Sequence, residues 1–302
     1  MVASFETTIL SMVIMIICGY SLKRLNLVKA QDIEALNNIA IKLTLPCLVF
    51  TTIYTSNLSG LRELILMPWI NIITTIIVGI LVYYICKLKK YDKKRTWTLI
   101  LVTCMGNTAF VGYTVCYGVF GQQGLVVGIF SDLGSLISFL CLSAILTVVF
   151  EGSAKESMKK IFGFPMLWGL IFGLICNITS FNVGDVITTV TEYLGNATIP
   201  IIMISLGVSL NFKGIKENLN FAGFGFLIKL VIYPLVAFLI ILSLGLKGLQ
   251  MDIAIIQAAM PSGMIVLTLI ADHKLDLELA SVIIFSTTIM SLLTLSILLF
   301  LL

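Results

Sequence analysis

Three adjacent residues in an apolar run invite a chemical question. Gly106-Asn107-Thr108 sits within residues 96–120, a stretch without a single charged side chain. None of the three favours a helix interior. Interrupting a helix there bares the N–H groups of the following turn, and a helix N-terminus carries about half a positive charge. Thr108 is of a residue type that caps such an end, and Asn107 offers both donor and acceptor. A second set, Pro261-Ser262-Gly263, repeats the pattern with a proline that lacks an N–H and a serine that can cap. The chemistry these sets suggest is the binding of an anion, a carboxylate above all.

The two sets stand at a common spacing with a second pair of breaks. Pro46 interrupts the run KLTLPCLVF, Pro200 interrupts NATIPIIMI, and the two are 154 residues apart. The same offset of 154 carries Asn107 to Pro261. Matched interruptions near the middle of apolar spans point to an internal repeat with discontinuous helices, the pattern of an inverted-repeat secondary transporter. Freed backbone groups at such depth must face a cavity or a ligand, because lipid cannot satisfy them.

The elements that would position these residues follow from hydropathy. Of 302 residues 59% are hydrophobic and 11% charged, and the mean hydropathy is +1.10, which excludes a soluble domain. Ten apolar runs are long enough to cross a bilayer core of about 30 Å. They cover residues 4–22, 35–55, 64–86, 96–120, 124–150, 161–181, 186–210, 221–244, 252–271 and 279–301. The predicted fold is an all-α polytopic membrane protein of ten helices in two inverted five-helix repeats, residues 1–150 and 161–302, joined by a short cytoplasmic linker at 151–160. Five spans per repeat is an odd number, so the second copy lies inverted. Spans four and nine then run in opposite directions, and their crossing gathers two positive and two negative helix ends.

Charge placement orients the chain. Fifteen of the nineteen Lys and Arg fall in alternate loops, six of them within 87–95, whereas only Arg62 and Lys247 fall in the opposite ones. The positive-inside rule puts the fifteen in the cytoplasm and both termini outside a plasma membrane. Lys23 and Arg24 follow the first apolar stretch instead of preceding it, unlike a secretory signal. The basic loops are suited to anionic headgroups of the lipid bilayer.

Other chemistries find little support. The lone histidine, His273, and seven cysteines without CxxC spacing give neither a metal site nor a disulfide framework. Ser262 in MPSG could be mistaken for a protease nucleophile, but His273 lies beyond the end of the same span and offers no base within reach. No catalytic residue is assigned, no organic cofactor is implied, and nothing suggests a nucleic-acid partner.

Four ionisable residues fall inside spans: Lys42, Asp132, Glu192 and Lys229. A charge at membrane depth costs at least about 2.5 kcal/mol, so each needs a partner or a task. Lys42 and Glu192 lie near span ends and can snorkel or face neighbouring helices. Asp132 and Lys229 lie about a third of the way into spans five and eight.

At these residues the sequence resembles the auxin efflux carrier family, which includes bacterial malonate- and malate-type carriers and, more distantly, plant auxin transporters. The matching pieces are LTLPCLVF (43–50), GNTAFVGYTV (106–115), FGQQG (120–124), TIPIIMISLGVSL (198–210), IKLVIYP (228–234), AAMPSGM (258–264) and FSTTIMSLLTL (285–295). The resemblance implies the fold of sodium/bile-acid symporters and sodium/proton antiporters. Spans one, two, six and seven would form a scaffold, and spans three to five and eight to ten a moving transport domain. As in related antiporters, Asp132 and Lys229 would lie close there and change their pairing as a proton or substrate binds, with a static salt bridge as the structural alternative. Thr114 and Ala109 stand where the family has proline and glycine, so the first break rests on Gly106, Asn107 and Gly112. Met264, Ile265 and Val266 make the second half of the pocket more apolar than in relatives.

The resulting expectation is an elevator-type secondary carrier that exports a small organic anion, with a facilitated-diffusion uniporter or leak as the alternative. Gly106, Asn107, Thr108, Pro261, Ser262 and Gly263 would bind the anion. Pro46 and Pro200 would shape the scaffold wall facing it, with Lys229 and Asp132 in charge or proton coupling. Proton coupling is favoured over sodium, since no acidic cluster flanks either break. A homodimer through the scaffold is expected by analogy, and Gly169-x-x-x-Gly173 could bring helices close.

Overall fold

Asp92 opens one helix by accepting a hydrogen bond from the Arg95 N–H at 2.7 Å, and Asp276 opens another in the same way toward Leu279 at 3.0 Å. The computed structural model describes residues 5–29, 31–58, 61–150, 164–210 and 218–302. The linker expected at 151–160 lies outside them. The described residues form helices, in chain order α1 (Phe5–Arg24), α2 (Asp32–Ile39), α3 (Leu45–Tyr54), α4 (Leu61–Leu88), α5 (Lys93–Cys104), α6 (Tyr113–Val149) and α7 (Pro165–Ile178). There follow α8 (Asp185–Asn196), α9 (Thr198–Ser209), α10 (Leu219–Gly225), α11 (Tyr233–Leu244), α12 (Leu249–Ala258), α13 (Val266–Asp272) and α14 (Leu277–Leu301).

Three wide π turns interrupt this order, at Ala40–Thr44, Thr108–Gly112 and Phe226–Ile232. Two of them have a visible cause. Pro46 and Pro234 lie just beyond the first and third, and a proline ring clashes with the carbonyl four residues earlier. Widening the preceding turn relieves that clash. The third π turn carries Lys229 into the interior, where none of its surface is exposed.

Among the described residues, six helices are long and apolar enough to cross a membrane: 6–24, 32–54, 63–88, 108–149, 219–244 and 277–301. Hydropathy alone led to ten, and the difference has two sources. The helices in runs six, seven and nine are short or broken, as α7, α8–α9 and α12–α13. Runs four and five are joined in one helical stretch that turns at Gly121, whose φ of 65° few other residues adopt.

The chain divides into two compact units, one of residues 1–59, 113–126 and 158–210, the other of 60–112, 127–157 and 211–302. In the first, α1 packs along α9, and α3 packs on α7 and α8. Gly169 and Gly173 lie against the Pro46 and Phe50 carbonyls of α3, and a Cβ on Gly173 would stand 3.0 Å from the latter. The glycine pair therefore serves contact within the chain. Lys42 and Glu192 are exposed on this unit.

In the second unit α4 packs against α5, α11 and α12, and α14 against α5 and α10. Here α4 is inverted relative to a helix of a soluble protein. It turns Asn71, Thr74 and Thr75 inward and Trp69, Ile73, Ile76 and Ile80 outward. Apolar residues on the outside and hydroxyls inside suit lipid as the surrounding solvent.

Candidate functional site

Within the second unit, α5 stops at Cys104 and α12 at Ala258, and the interruptions that follow pair with each other. The Asn107 N–H donates to the Pro261 carbonyl at 2.7 Å, and the Gly263 N–H donates to the Met105 carbonyl at 2.9 Å. Gly106 and Ser262 face each other across this short antiparallel bridge. A Cβ on Gly263 would come within 2.7 Å of the Gly106 oxygen, so glycine is what lets the two chains approach.

Ser262 is held from both sides. Its hydroxyl donates to the Val102 carbonyl in the last turn of α5 at 2.5 Å, and its N–H donates to the Thr287 hydroxyl at 3.3 Å. Thr108 likewise turns away from the backbone: its hydroxyl meets the Asp132 carboxyl and, at 3.1 Å, the Ser135 hydroxyl. Neither residue caps a helix as its type suggested. The freed Val102 carbonyl of α5 and the buried Asp132 carboxyl take these hydroxyl hydrogens instead.

Asn107 is the exception. It is 6% exposed, and its side-chain Nδ2 has no hydrogen-bond partner among the described residues. A buried donor left without a partner costs about 1–3 kcal/mol. Its carbonyl accepts from both Val111 and Gly112 at 3.1 Å, which fixes the residue at the head of the wide π turn.

Asp132 and Lys229 are the buried charged side chains among the described residues, at 6% and 0% exposure. The Asp132 carboxyl accepts from the Thr108 hydroxyl. Lys229 Nζ donates to the Ala258 carbonyl at 3.4 Å and lies 3.7 Å from the centre of the Tyr233 ring. It also stands 3.2 Å from where a Cβ on Gly106 would be. The cation therefore sits where α12 ends and α5 has just ended, at the negative ends of two helices. The carboxyl sits by Thr108, the first residue of a turn whose end is positive. Each charge is matched to a helix end, a favourable term of about 0.3–2 kcal/mol apiece.

Hydropathy gave no sign of several further participants. Asn71 Nδ2 donates to Ser135 at 2.9 Å, and Thr75 and Tyr233 share a hydroxyl–hydroxyl bond of 2.8 Å. Gln257 on α12 lies against Gly112 and donates to the Gly128 carbonyl at 3.3 Å. Polar residues facing one another from separate spans were the available signal, but their rotation about each helix axis was needed to read it. Pro46 and Pro200 belong to the first unit, Pro46 in the first turn of α3 and Pro200 exposed on α9.

A paired double break with a buried amide and a cation beside it can receive an anion. Comparison with known proteins agrees in kind. The profile of the family described as membrane transport protein matches residues 4–157 and 148–299. A protein named uncharacterized transporter from Methanothermobacter thermautotrophicus is 36% identical over 288 residues, 95% of each chain. Another from Methanocaldococcus jannaschii is 32% identical over 295 residues, 95% of this chain and 96% of that one. With such matches across nearly its whole length, the chain belongs to the membrane transport protein family, that of the auxin efflux carriers.

Proposed function

We propose that this multi-pass membrane protein is a secondary transporter that exports a small organic anion, a carboxylate, by an elevator-type movement. The observation that carries the reading is the Asn107 Nδ2, buried without a partner where two interrupted helices pair. Lys229 supplies the positive charge beside it. Gly106, Thr108, Pro261, Ser262 and Gly263 build and hold the break, so Asn107 makes the direct contact.

The second compact unit acts as the transport domain and the first as the scaffold, with Pro46 and Pro200 in its wall. Grouping of residues 1–59 with 158–210, distant in sequence, supports that division. Ten spans in two inverted repeats, 1–150 and 161–302, would place both termini outside the plasma membrane. A homodimer would form through the scaffold. The coupling ion is a proton rather than sodium.

The test is a thermal-shift screen on purified full-length protein with malonate, succinate, benzoate and indole-3-acetate. At least one should stabilise the wild type and none should stabilise Asn107→Ala. Equal stabilisation of both proteins would refute the site.

A further inference from the structure

Thr108 has one hydroxyl hydrogen and two neighbours that can take it, the Asp132 carboxyl and the Ser135 hydroxyl. An ionised carboxylate can only accept, so it claims that hydrogen, and Ser135 must then donate to Thr108. A protonated carboxyl is itself a donor, which releases the Thr108 hydrogen toward Ser135. The hydroxyl thus has two orientations, and the proton on Asp132 selects between them.

The other end of the chain is fixed. Ser135 accepts from Asn71 Nδ2 at 2.9 Å, while the Thr75 and Tyr233 hydroxyls each lie 3.4 Å from Asn71 Oδ1 and 2.8 Å from each other, so one donates to its neighbour and the other to the amide oxygen. That hydroxyl donor on its oxygen side holds the Asn71 amide in one sense, with its N–H toward Ser135. Every member is buried: Asn71, Thr75, Thr108, Asp132, Ser135 and Tyr233. Among the described residues, the other buried titratable side chains are Tyr113 and Cys116 on α6, Lys229 ahead of α11, Tyr233 in it, Cys104 at the end of α5 and Cys86 near the end of α4, while Asp252 early in α12 is half-buried.

Charge balance links this chain to the anion. With Asp132 ionised, its charge and that of Lys229 cancel within the unit, and an arriving monoanion leaves one uncompensated buried negative charge. With Asp132 protonated, the same anion restores neutrality against Lys229. Buried charge without compensation is strongly disfavoured.

We propose that Asp132 carries the coupling proton, one per monoanion, and that the Thr108–Ser135–Asn71 hydrogen-bond chain positions it and reports its state to the break next to Asn107. When the proton binds, an O–H bond forms between it and the carboxylate, water giving it up, and the Thr108 bond to that carboxylate breaks. Thr108 then donates to Ser135, and the Ser135 hydrogen turns to a carbonyl of the preceding helical turn. Asn71 is a positioning residue. The inference rests on the anion site at Asn107, but its first test does not.

That test is an infrared pH titration of the carboxyl C=O band in purified full-length protein without ligand. A protonated-carboxyl band should appear as pH falls and be absent from Asp132→Asn. Its midpoint should move by about one pH unit or more in Thr108→Val and in Asn71→Leu, as loss of a hydrogen bond to one protonation state requires. Thr108→Ser, which keeps the hydroxyl, should restore it. A midpoint unchanged in both Thr108→Val and Asn71→Leu overturns the chain, and a band that survives Asp132→Asn overturns the assignment of the proton. A second measurement uses malonate and indole-3-acetate as probes. Any stabilisation they give should weaken as pH rises through the band midpoint, and should lose that pH dependence in Asp132→Asn; pH-independent stabilisation of the wild type overturns the coupling. If neither probe binds, the choice of carboxylate ligand fails, and the infrared titration still decides the chain.

Discussion

The Asn107 N–H and the Pro261 carbonyl meet at 2.7 Å, so the two interruptions satisfy much of each other's backbone. With the Gly263–Met105 bond this forms a two-rung ladder where neither helix can continue. Such pairing lets a helix break persist away from water, because a lone unpaired peptide group there would cost several kcal/mol. What the ladder leaves over is a side chain, the Asn107 amide.

Asn107→Ala should therefore cost little stability, since it removes a buried donor that lacks a partner. In the absence of ligand the melting temperature should stay the same or rise, while anion-induced stabilisation disappears. A fall of several degrees would mean that the amide has a structural partner instead.

Gly263→Ala should destabilise by about 1–3 kcal/mol, the usual range for forcing a methyl into packed backbone. The new Cβ would stand 2.7 Å from the Gly106 oxygen and prise the ladder apart. Gly223→Ala, whose Cβ would meet nothing within 4 Å, is the control and should melt like the wild type. Equal melting of the two variants would argue against the ladder.

Replacing Lys229 separates charge from fold. Lys229 donates to the Ala258 carbonyl, and Asp132 can take up a proton when the cation is gone, so Lys229→Met should still give a monodisperse protein. Counterflow of the best-binding carboxylate in liposomes should fall about tenfold or more, the equivalent of losing one charge-assisted contact. Unchanged counterflow in a well-folded variant would remove the cation from the mechanism. Net leak without counterflow in the wild type would favour the channel-like leak.

Gly169→Val should unfold or loosen the first unit whatever the oligomeric state, because its neighbour is the Pro46 carbonyl of the same chain. Size-exclusion chromatography with light scattering, combined with melting curves, checks this. A stable monomer from a dimeric parent would instead make the glycine pair an intermolecular contact.

Orientation can be read by labelling. In a background without native cysteines, Lys89→Cys should react with an impermeant maleimide only when the cytoplasmic face is open, and Lys247→Cys from the outside. The reverse pattern would invert the topology drawn from the loop charges.

The sequence by itself determined the membrane class, the apolar runs and the positions of the breaks. These depend on properties that each residue carries alone: hydropathy, the missing N–H of Pro261, the poor helix propensity of Gly106 and Asn107. It could not determine partners. Asp132 and Lys229 lie at similar depth, yet helix rotation turns one to Thr108 and the other to Ala258. Asn71, Ser135 and Tyr233 looked like ordinary polar residues in apolar helices until tertiary packing set them within bonding distance. The same packing gave Gly169 and Gly173 to α3 of their own chain. Depth in a bilayer is a one-dimensional quantity that composition can supply, whereas the facing of side chains depends on how several helices cross, and only the folded chain fixes that.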